Sequence, residues 1–237
     1  MNYDAIFSAY YQQYRADSDV PTSADDEYTV GLSLANEAIN RWENYDGNYW
    51  RELFETHQAN GTGTQTVTTG TTSYTAPTNF KEAGGFIKVV TASGGLKKAY
   101  PIINVEQVQS QNDSAVYCYF KGNPKDGYTF NLNPAPTAEL NGLDIDFTYY
   151  KKPTLFTIGT DVTELADPYF IVHRMLASQF RAARNPYYSS AKADSENALK
   201  QMKMDNDSGT WTNPWAVADR SGSVFGGASG GSFFGNR

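Results

Sequence analysis

The most constraining feature of this chain is a change of periodicity that occurs twice. Residues 3–53 place apolar side chains every three or four positions, residues 64–151 hold short β-branched and aromatic runs broken by Gly, Asn and Asp, and residues 167–204 return to helical spacing. A helix repeats every 3.6 residues and a strand every 2, so one stretch cannot serve both. Each helical end offers a single apolar stripe, too small to be buried alone. The pattern predicts an α+β fold: the N- and C-terminal helices form one bundle, interrupted by an inserted small antiparallel β-sandwich or barrel, and an extended C-terminal arm follows. The expected segments are 1–57 and 165–205 for the bundle, 58–164 for the β-domain and 206–237 for the arm.

The first helix is expected over 3–15, with Ile6, Phe7, Tyr10, Tyr11 and Tyr14 near one stripe. Asp17, Asp19 and Pro21 break it. Ser23 and Asp26 resemble an acidic capping box for a second helix, and Asp25, Asp26 and Glu27 sit where the helix dipole favours negative charge. Its buried face would hold Tyr28, Leu32, Ala35, Ile39, Trp42, Tyr45, Tyr49 and Leu53. Gly47 would end or kink it, so that it stops near Tyr45 or runs on towards Phe54. Asp167-Pro168 is a cap followed by a first-turn proline. The helix after it carries Tyr169, Val172, Leu176, Phe180 and Ala183 on its stripe and stops at Asn185-Pro186. A last helix is expected over 189–204, with Ala191, Ala198, Leu199 and Met202 inward. The predicted bundle core is Leu32, Ile39, Trp42, Leu53, Val172, Leu176 and Phe180.

Seven strands are expected in the middle: 64–69, 73–76, 86–91, 105–110, 115–121, 128–132 and 144–151. Turn signals such as Gly94-Gly95, Asn112-Asp113 and Asp126-Gly127 separate them. Ile145-Asp-Phe147-Thr-Tyr149 alternates as a half-buried strand should.

Catalytic patterns are absent. There is no nucleophile elbow, Walker loop, dinucleotide fingerprint or H-E-x-x-H. Cys118 is the only cysteine, which excludes an intramolecular disulfide and a cysteine-based zinc cluster within the chain. His57 and His173 are the only histidines. His57 is expected to cap the second helix's C-terminus, and His173 to be a satisfied core or interface residue. Cys118 reads as a small packed hydrophobe. Asp144 and Asp146 share a strand face; as a carboxylate pair they would suit glycoside hydrolysis or calcium, but alternation explains them as the strand's solvent side. Asp17/Asp19 and Asp205/Asp207 lack a calcium-loop pattern and read as exposed loops. No catalytic residue, metal site or cofactor is expected, and no apolar run approaches the roughly 20 residues that span a bilayer. Met1-Asn-Tyr-Asp-Ala5 lacks the basic start and apolar stretch of a signal peptide, so the expectation is a soluble protein made in a reducing cytoplasm.

Charge divides unevenly. Residues 1–57 hold 11 acidic and 3 basic side chains, and residues 165–237 hold 6 and 8, within a net charge of -7. The overall sign disfavours broad attraction to nucleic acid. Arg174, Arg181, Arg184, Lys192, Lys200 and Lys203 would share a face of the late helices. That face has two readings: a surface towards phosphate, such as DNA in a pore, or a salt-bridging face against the acidic early helices of this copy or the next. Charge complementarity favours the second. Residues 206–237 contain 7 Gly and 5 Ser, yet Trp211, Trp215, Phe225, Phe233 and Phe234 punctuate them. Spaced aromatics in a flexible arm suit something that orders on a partner.

Three passages carry a resemblance. Trp50-Arg-Glu-Leu53 leads into Thr64-Gln-Thr-Val67, then Thr71-Thr-Ser-Tyr74-Thr-Ala-Pro77-Thr-Asn-Phe80 and Gly85-Phe-Ile-Lys-Val-Val90. Leu165-Ala-Asp-Pro168 through Arg184, followed by Ala191 to Leu199, is similar to a closing helical pair. Together, over roughly residues 23–205, these resemble the head-to-tail connector (adaptor) proteins of tailed double-stranded DNA phages. The resemblance implies a structural virion protein, made in the bacterial host cytoplasm and placed in the neck between capsid and tail. It implies a ring, usually of twelve copies, beneath the portal protein, extending the DNA channel and giving the tail or nozzle protein its docking surface. The arm, with Trp211, Trp215, Phe225, Phe233 and Phe234, would grip the portal. Rival readings are a carbohydrate- or receptor-binding β-module using Tyr117, Tyr119, Tyr128, Tyr149 and Tyr150, another tail component, or a glycosidase using Asp144 or Asp146.

Overall fold

A computed structural model describes residues 1–15, 19–57, 65–112 and 114–208. The arm from residue 209 on, with Trp211, Trp215, Phe225, Phe233 and Phe234, lies outside the described residues, as do Asp17, Asp113 and Gly61–Thr64. The chain divides into two compact units. Among the described residues, one comprises Met1–Leu53 together with residues 152–208, and the other is Phe54–Lys151. The fold is α+β, with helices in the first unit and antiparallel sheets in the second.

The helical unit holds α1 (Tyr3–Arg15), α2 (Asp26–Glu43), α3 (Tyr169–Ala182) and α4 (Tyr188–Ser208). The most apolar of these, α3, is central and packs against the other three. Its buried residues are Phe170, Ile171, Val172, Met175, Leu176 and Ala177. Phe180 is half-buried, and Tyr169 and Ala183 are exposed, so the stripe is rotated from the expected one. Pro168 already has helical backbone angles, and the Asp167 carboxylate accepts the Tyr169 amide at 3.0 Å. On α2, Ile39 and Trp42 are buried and Leu32 is half-buried. The Ser23–Asp26 box does not form. Asp25 is the cap residue, and its carboxylate instead accepts the Thr22 amide and hydroxyl at 2.7 and 2.9 Å. The helix stops at Glu43; Asp46 and Gly47 turn the chain with positive φ. Beyond that turn Trp50 folds back on Trp42, with its indole N–H donating to the Trp42 carbonyl at 2.8 Å. Gly31 lets α1 cross α2 closely, since a β-carbon there would stand 2.3 Å from the Phe7 ring.

Residues 152–164 belong to this unit rather than to the β-domain. Their backbone ties to the start of α1, with the Tyr3 amide donating to the Asp161 carbonyl at 2.9 Å and the Asp4 amide to Gly159 at 3.0 Å. Asn36 of α2 clamps the same segment: it accepts the Phe156 amide at 2.8 Å and donates to the Phe156 carbonyl at 2.9 Å.

Among its described residues the β-unit has eight strands: β1 (Phe54–His57), β2 (Ser73–Thr75), β3 (Phe80–Ala83), β4 (Phe86–Val90), β5 (Leu96–Pro101), β6 (Tyr117–Asn123), β7 (Gly127–Asn133) and β8 (Asp144–Lys151). One sheet runs β1-β8-β4-β5 with β3 also on β8; the other runs β2-β7-β6. Both contribute to one core, including Tyr74, Phe80, Ile87, Phe130, Ile145 and Phe147. Three expectations change. Val105–Ser110 is a 3-10 helix, because Asn104 and Gln107 form a capping box that a strand would break. Of the expected strand 64–69, the described residues 65–69 supply only an isolated bridge from Thr66 to Asp144. β1, β3 and β5 were not expected: β1 lies where the sequence reading placed helix, β3 is short, and β5 is a sheet edge carrying Lys97 and Lys98, as edges do to resist further pairing. Tight turns fill the rest. At Gly122, φ is 132° and a β-carbon would meet the Gly127 carbonyl at 2.2 Å, so no other residue fits that hairpin.

Candidate functional site

The six late basic residues separate into two groups. Arg174 pairs with Glu37 at 3.6 Å, and Lys203 pairs with Asp46. In the opposite sense, Arg41 of α2 reaches Glu196 of α4 at 3.4 Å. The acidic front and basic back are thus partly joined within one copy. The Lys203 bond holds the Asp46 carboxyl below its ordinary value. Arg181, Arg184, Lys192 and Lys200 are exposed and make no ion pair with a described residue.

Three of those four cluster where α3 turns into α4. The turn has a helix-ending geometry in which the Asn185 amide donates to the Phe180 carbonyl at 2.9 Å and the Arg184 amide to Arg181 at 3.2 Å. The residue between, Arg184, has φ 52°, the left-handed region that suits glycine. Tyr187 follows, 67% exposed, with its ring 6.4 Å from Phe180. Arg181, Arg184 and Tyr187 are exposed at this corner, and Lys192 is exposed in the first turns of α4.

A second feature lies at the same end of the unit. A cleft of about 220 Å³ opens between α1 and α2, lined by Tyr10, Tyr11, Tyr14, Arg15, Asp26, Glu27, Val30 and Gln179. Tyr10 and Tyr14 stack at 5.9 Å with rings 4° apart. The Tyr11 hydroxyl donates to Glu27 at 3.1 Å, and Arg15 pairs with Glu27 at 3.2 Å. Burial, with Tyr14 and Glu27 close by, pushes the Tyr10 hydroxyl well above its ordinary range. Tyr14 also contacts Phe180 at 6.0 Å, so a run of rings links cleft to corner. The sequence placed these tyrosines on a buried stripe; nothing in it showed that the stripe's edge frames a cleft with an Arg15–Glu27 pair on its rim.

The other marked residues fall elsewhere. Cys118 is buried in β6, and burial pushes its thiol up to about 12. His57 is not a helix cap; it lies in β1 with its ring 4.9 Å from Phe147. His173 is half-buried on α3. Asp144 and Asp146 alternate with buried Ile145 and Phe147 on β8. Tyr149 and Tyr150 are buried at 3% and 2% exposure, so they offer no sugar platform. Tyr117 and Tyr119 tilt at 38° to each other rather than lying coplanar. An open groove in the β-unit has a floor of Phe80, Ala83, Ile102 and Phe120 and a rim that includes Glu106 and Lys121. Among the described residues no group of three or more His, Cys, Asp or Glu is placed to hold a metal ion, and no helix is long and apolar enough to cross a membrane. The arrangement offers contact surfaces: a cationic corner, an aromatic cleft and an apolar groove.

Comparison with known families decides the context. The family model for the SU10 adaptor protein matches residues 1–218, through both units. The chain belongs to the SU10 adaptor protein family. No curated protein matches it. As an SU10 adaptor it is a phage structural adaptor protein and a virion component. The resemblance read from Trp50–Val90 and Leu165–Leu199 pointed to this family.

Proposed function

We propose that this SU10 adaptor is a head-to-tail connector subunit that forms a closed ring of twelve copies beneath the portal protein. The ring extends the channel through which double-stranded DNA passes and gives the tail or nozzle protein its docking surface. It works by shape and contact, with no catalytic step. The observation that carries this reading is the adaptor match over residues 1–218, which takes in the helical unit and the β-unit alike. Two features support it. The late helices carry exposed cations that make no ion pair with a described residue, and residues 1–57 hold 11 acidic against 3 basic side chains, which suits contact between unlike faces of identical copies. The net charge of -7 suits a channel wall that lets DNA slide.

The segment from 209 to 237, with Trp211, Trp215, Phe225, Phe233 and Phe234, is proposed as the portal-gripping arm. The test is co-sedimentation with the portal, with negative-stain imaging of the complex. The full chain is expected to sediment with the portal as a ring. A chain ending at Ser208 is expected to stay folded and to remain in the supernatant. If the shortened chain still sediments, the arm assignment is wrong; if the full chain binds without forming a ring, the ring reading is wrong.

A further inference from the structure

We propose that the open groove of the β-unit receives Ser223-Val-Phe225 from the tail of the same chain, with the Phe225 ring on the Phe80–Phe120 floor. The inference concerns the free chain and does not depend on the ring. On the arm reading above, Phe225 leaves the groove when the portal is engaged.

The receiving side is built by the course of the chain. Ile102 bridges Cys118 of β6 in parallel, and the Ile103 amide donates to the Cys118 carbonyl at 2.8 Å. At Asn104 the chain turns away into the 3-10 helix Val105–Ser110. The outer edge of β6 continues without it. Main-chain groups alternate along a strand, so those of Phe120 and Gly122 point the same way as the Cys118 carbonyl, and no described strand lies on that side of them. Beside this edge the Phe120 ring stacks on buried Phe80 at 4.6 Å, and Ala83 and Ile102 complete the floor. Val105 stands on the rim, 53% exposed. The groove measures about 520 Å³, room for a run of chain rather than one side chain. An extended peptide laid along such an edge gains main-chain hydrogen bonds from the strand and specificity from the floor.

The entering side is set by composition. From Ser221 to Asn236 the chain carries no charged residue. The groove's rim is balanced, with Lys81 and Lys121 against Glu82 and Glu106, so it favours neither an anionic nor a cationic occupant. This tail lies outside the described residues and beyond residue 218, where the family match ends. Two of its stretches suit the floor, Ser223-Val-Phe225 and Ser232-Phe-Phe234. Adjacent side chains of an extended chain face opposite ways, so the second stretch would turn one ring to water. The first turns out only Val224, a residue type that favours strands.

Reach favours the same chain over a second copy. Asn206 of α4 accepts the Arg51 amide at 3.1 Å and donates to the Tyr49 carbonyl at 3.0 Å, which holds the root of the arm beside the connection to β1. Phe54 of β1 lies opposite Tyr150, and Tyr150 opposite Glu82 in the groove's wall. Connectivity alone therefore keeps the root within about 30 Å of β3, whatever the orientation of the two units. A free chain of Gly- and Ser-rich composition and the length from Ser208 to Phe225 spans about 20–25 Å root-mean-square. A tether matched to its span presents its end at a millimolar effective concentration, on the order of a thousandfold above a second copy at micromolar concentration.

The test uses the free full-length chain without portal. Val105→Cys with Phe225→Cys, oxidised at micromolar concentration, is expected to form a disulfide within one chain, while Cys118 is buried and stays silent. Val105→Cys with Phe234→Cys is expected to close about tenfold more slowly. In a separate variant, Phe225→Ala is expected to speed amide exchange at Phe120 and Gly122 about tenfold, with exchange at Phe147 and Tyr149 of β8 unchanged from the parent. Disulfide-linked dimers would give the groove to a second copy and overturn the proposal. Equal closure with Phe234→Cys, or exchange at Phe120 and Gly122 that Phe225→Ala leaves unchanged, also overturns it. No readout involves the portal, so these failures leave the ring and arm readings standing, and a full chain that fails to sediment with the portal leaves this contact standing.

Discussion

The Tyr28 hydroxyl donates to the Asp4 carboxylate at 2.6 Å, and the Tyr28 ring meets Tyr3 edge-on at 4.9 Å. Tyr3 in turn donates to the Tyr28 backbone carbonyl at 2.8 Å. One residue of α2 therefore fixes the first turn of α1, through polar and aromatic contacts together. Burial, reinforced by the Asp4 bond, pushes the Tyr28 hydroxyl up to about 12.

Tyr28→Phe keeps the ring and removes only the bond to Asp4. It is expected to lower stability by about 1–2 kcal/mol, since the bond is charge-assisted and partly shielded. Urea unfolding followed by circular dichroism measures this. An unchanged midpoint would show that water replaces the tyrosine hydroxyl at no cost.

Asn36→Ala orphans two backbone groups of Phe156 at once. The expected loss is about 2 kcal/mol, with faster amide exchange across 152–164 than elsewhere in the helical unit. Hydrogen exchange by mass spectrometry reads both effects. Uniform exchange across the unit would mean that the main-chain ties from Tyr3 and Asp4 hold that segment by themselves.

Cys118 is expected to be unreactive in the folded protein. Its thiol is buried and pushed up to about 12, so almost no thiolate exists near neutral pH. A thiol reagent at pH 8 should titrate one equivalent only after denaturant is added. Rapid reaction in the native state would contradict the packing of β6.

His57 predicts the direction of a pH effect. Burial lowers its pKa from the ordinary 6.5, with Asp146 opposing, and its Nε2 is buried with no hydrogen-bond partner among the described residues. Above pH 6.5 the ring is neutral in both states and costs nothing. Below it, the unfolded chain takes a proton that the native site resists, so stability falls as pH drops towards the folded pKa. His57→Gln should flatten this part of the stability curve between pH 7 and 5. Parallel curves for the two proteins would assign the acid response to other groups.

Local rules explain much of what could be read in advance. α1 matches its expected span because its stripe and the break after Arg15 are local signals. β8 matches because Asp144–Lys151 alternates cleanly over most of its length. Residues 105–110 misled because Val-Glu-Gln-Val satisfies period two and period three equally; the Asn104–Gln107 cap then settled the choice. Residues 152–164 have no periodicity at all. Their place in the helical unit comes from Asn36, far away in sequence.

The basic residues mark the same limit. Sequence alone determined that the late helices carry six cations, that the early segment is acidic, and that two helical ends must share a core. Only the tertiary structure decided that Arg174 and Lys203 are consumed by Glu37 and Asp46 while Arg181, Arg184 and Lys192 face outward. The reason is physical. Periodicity records which side of a helix is apolar, because burial depends on the helix's own repeat. An ion pair depends on which foreign helix lies opposite, and that is set by how α2, α3 and α4 pack around the shared core.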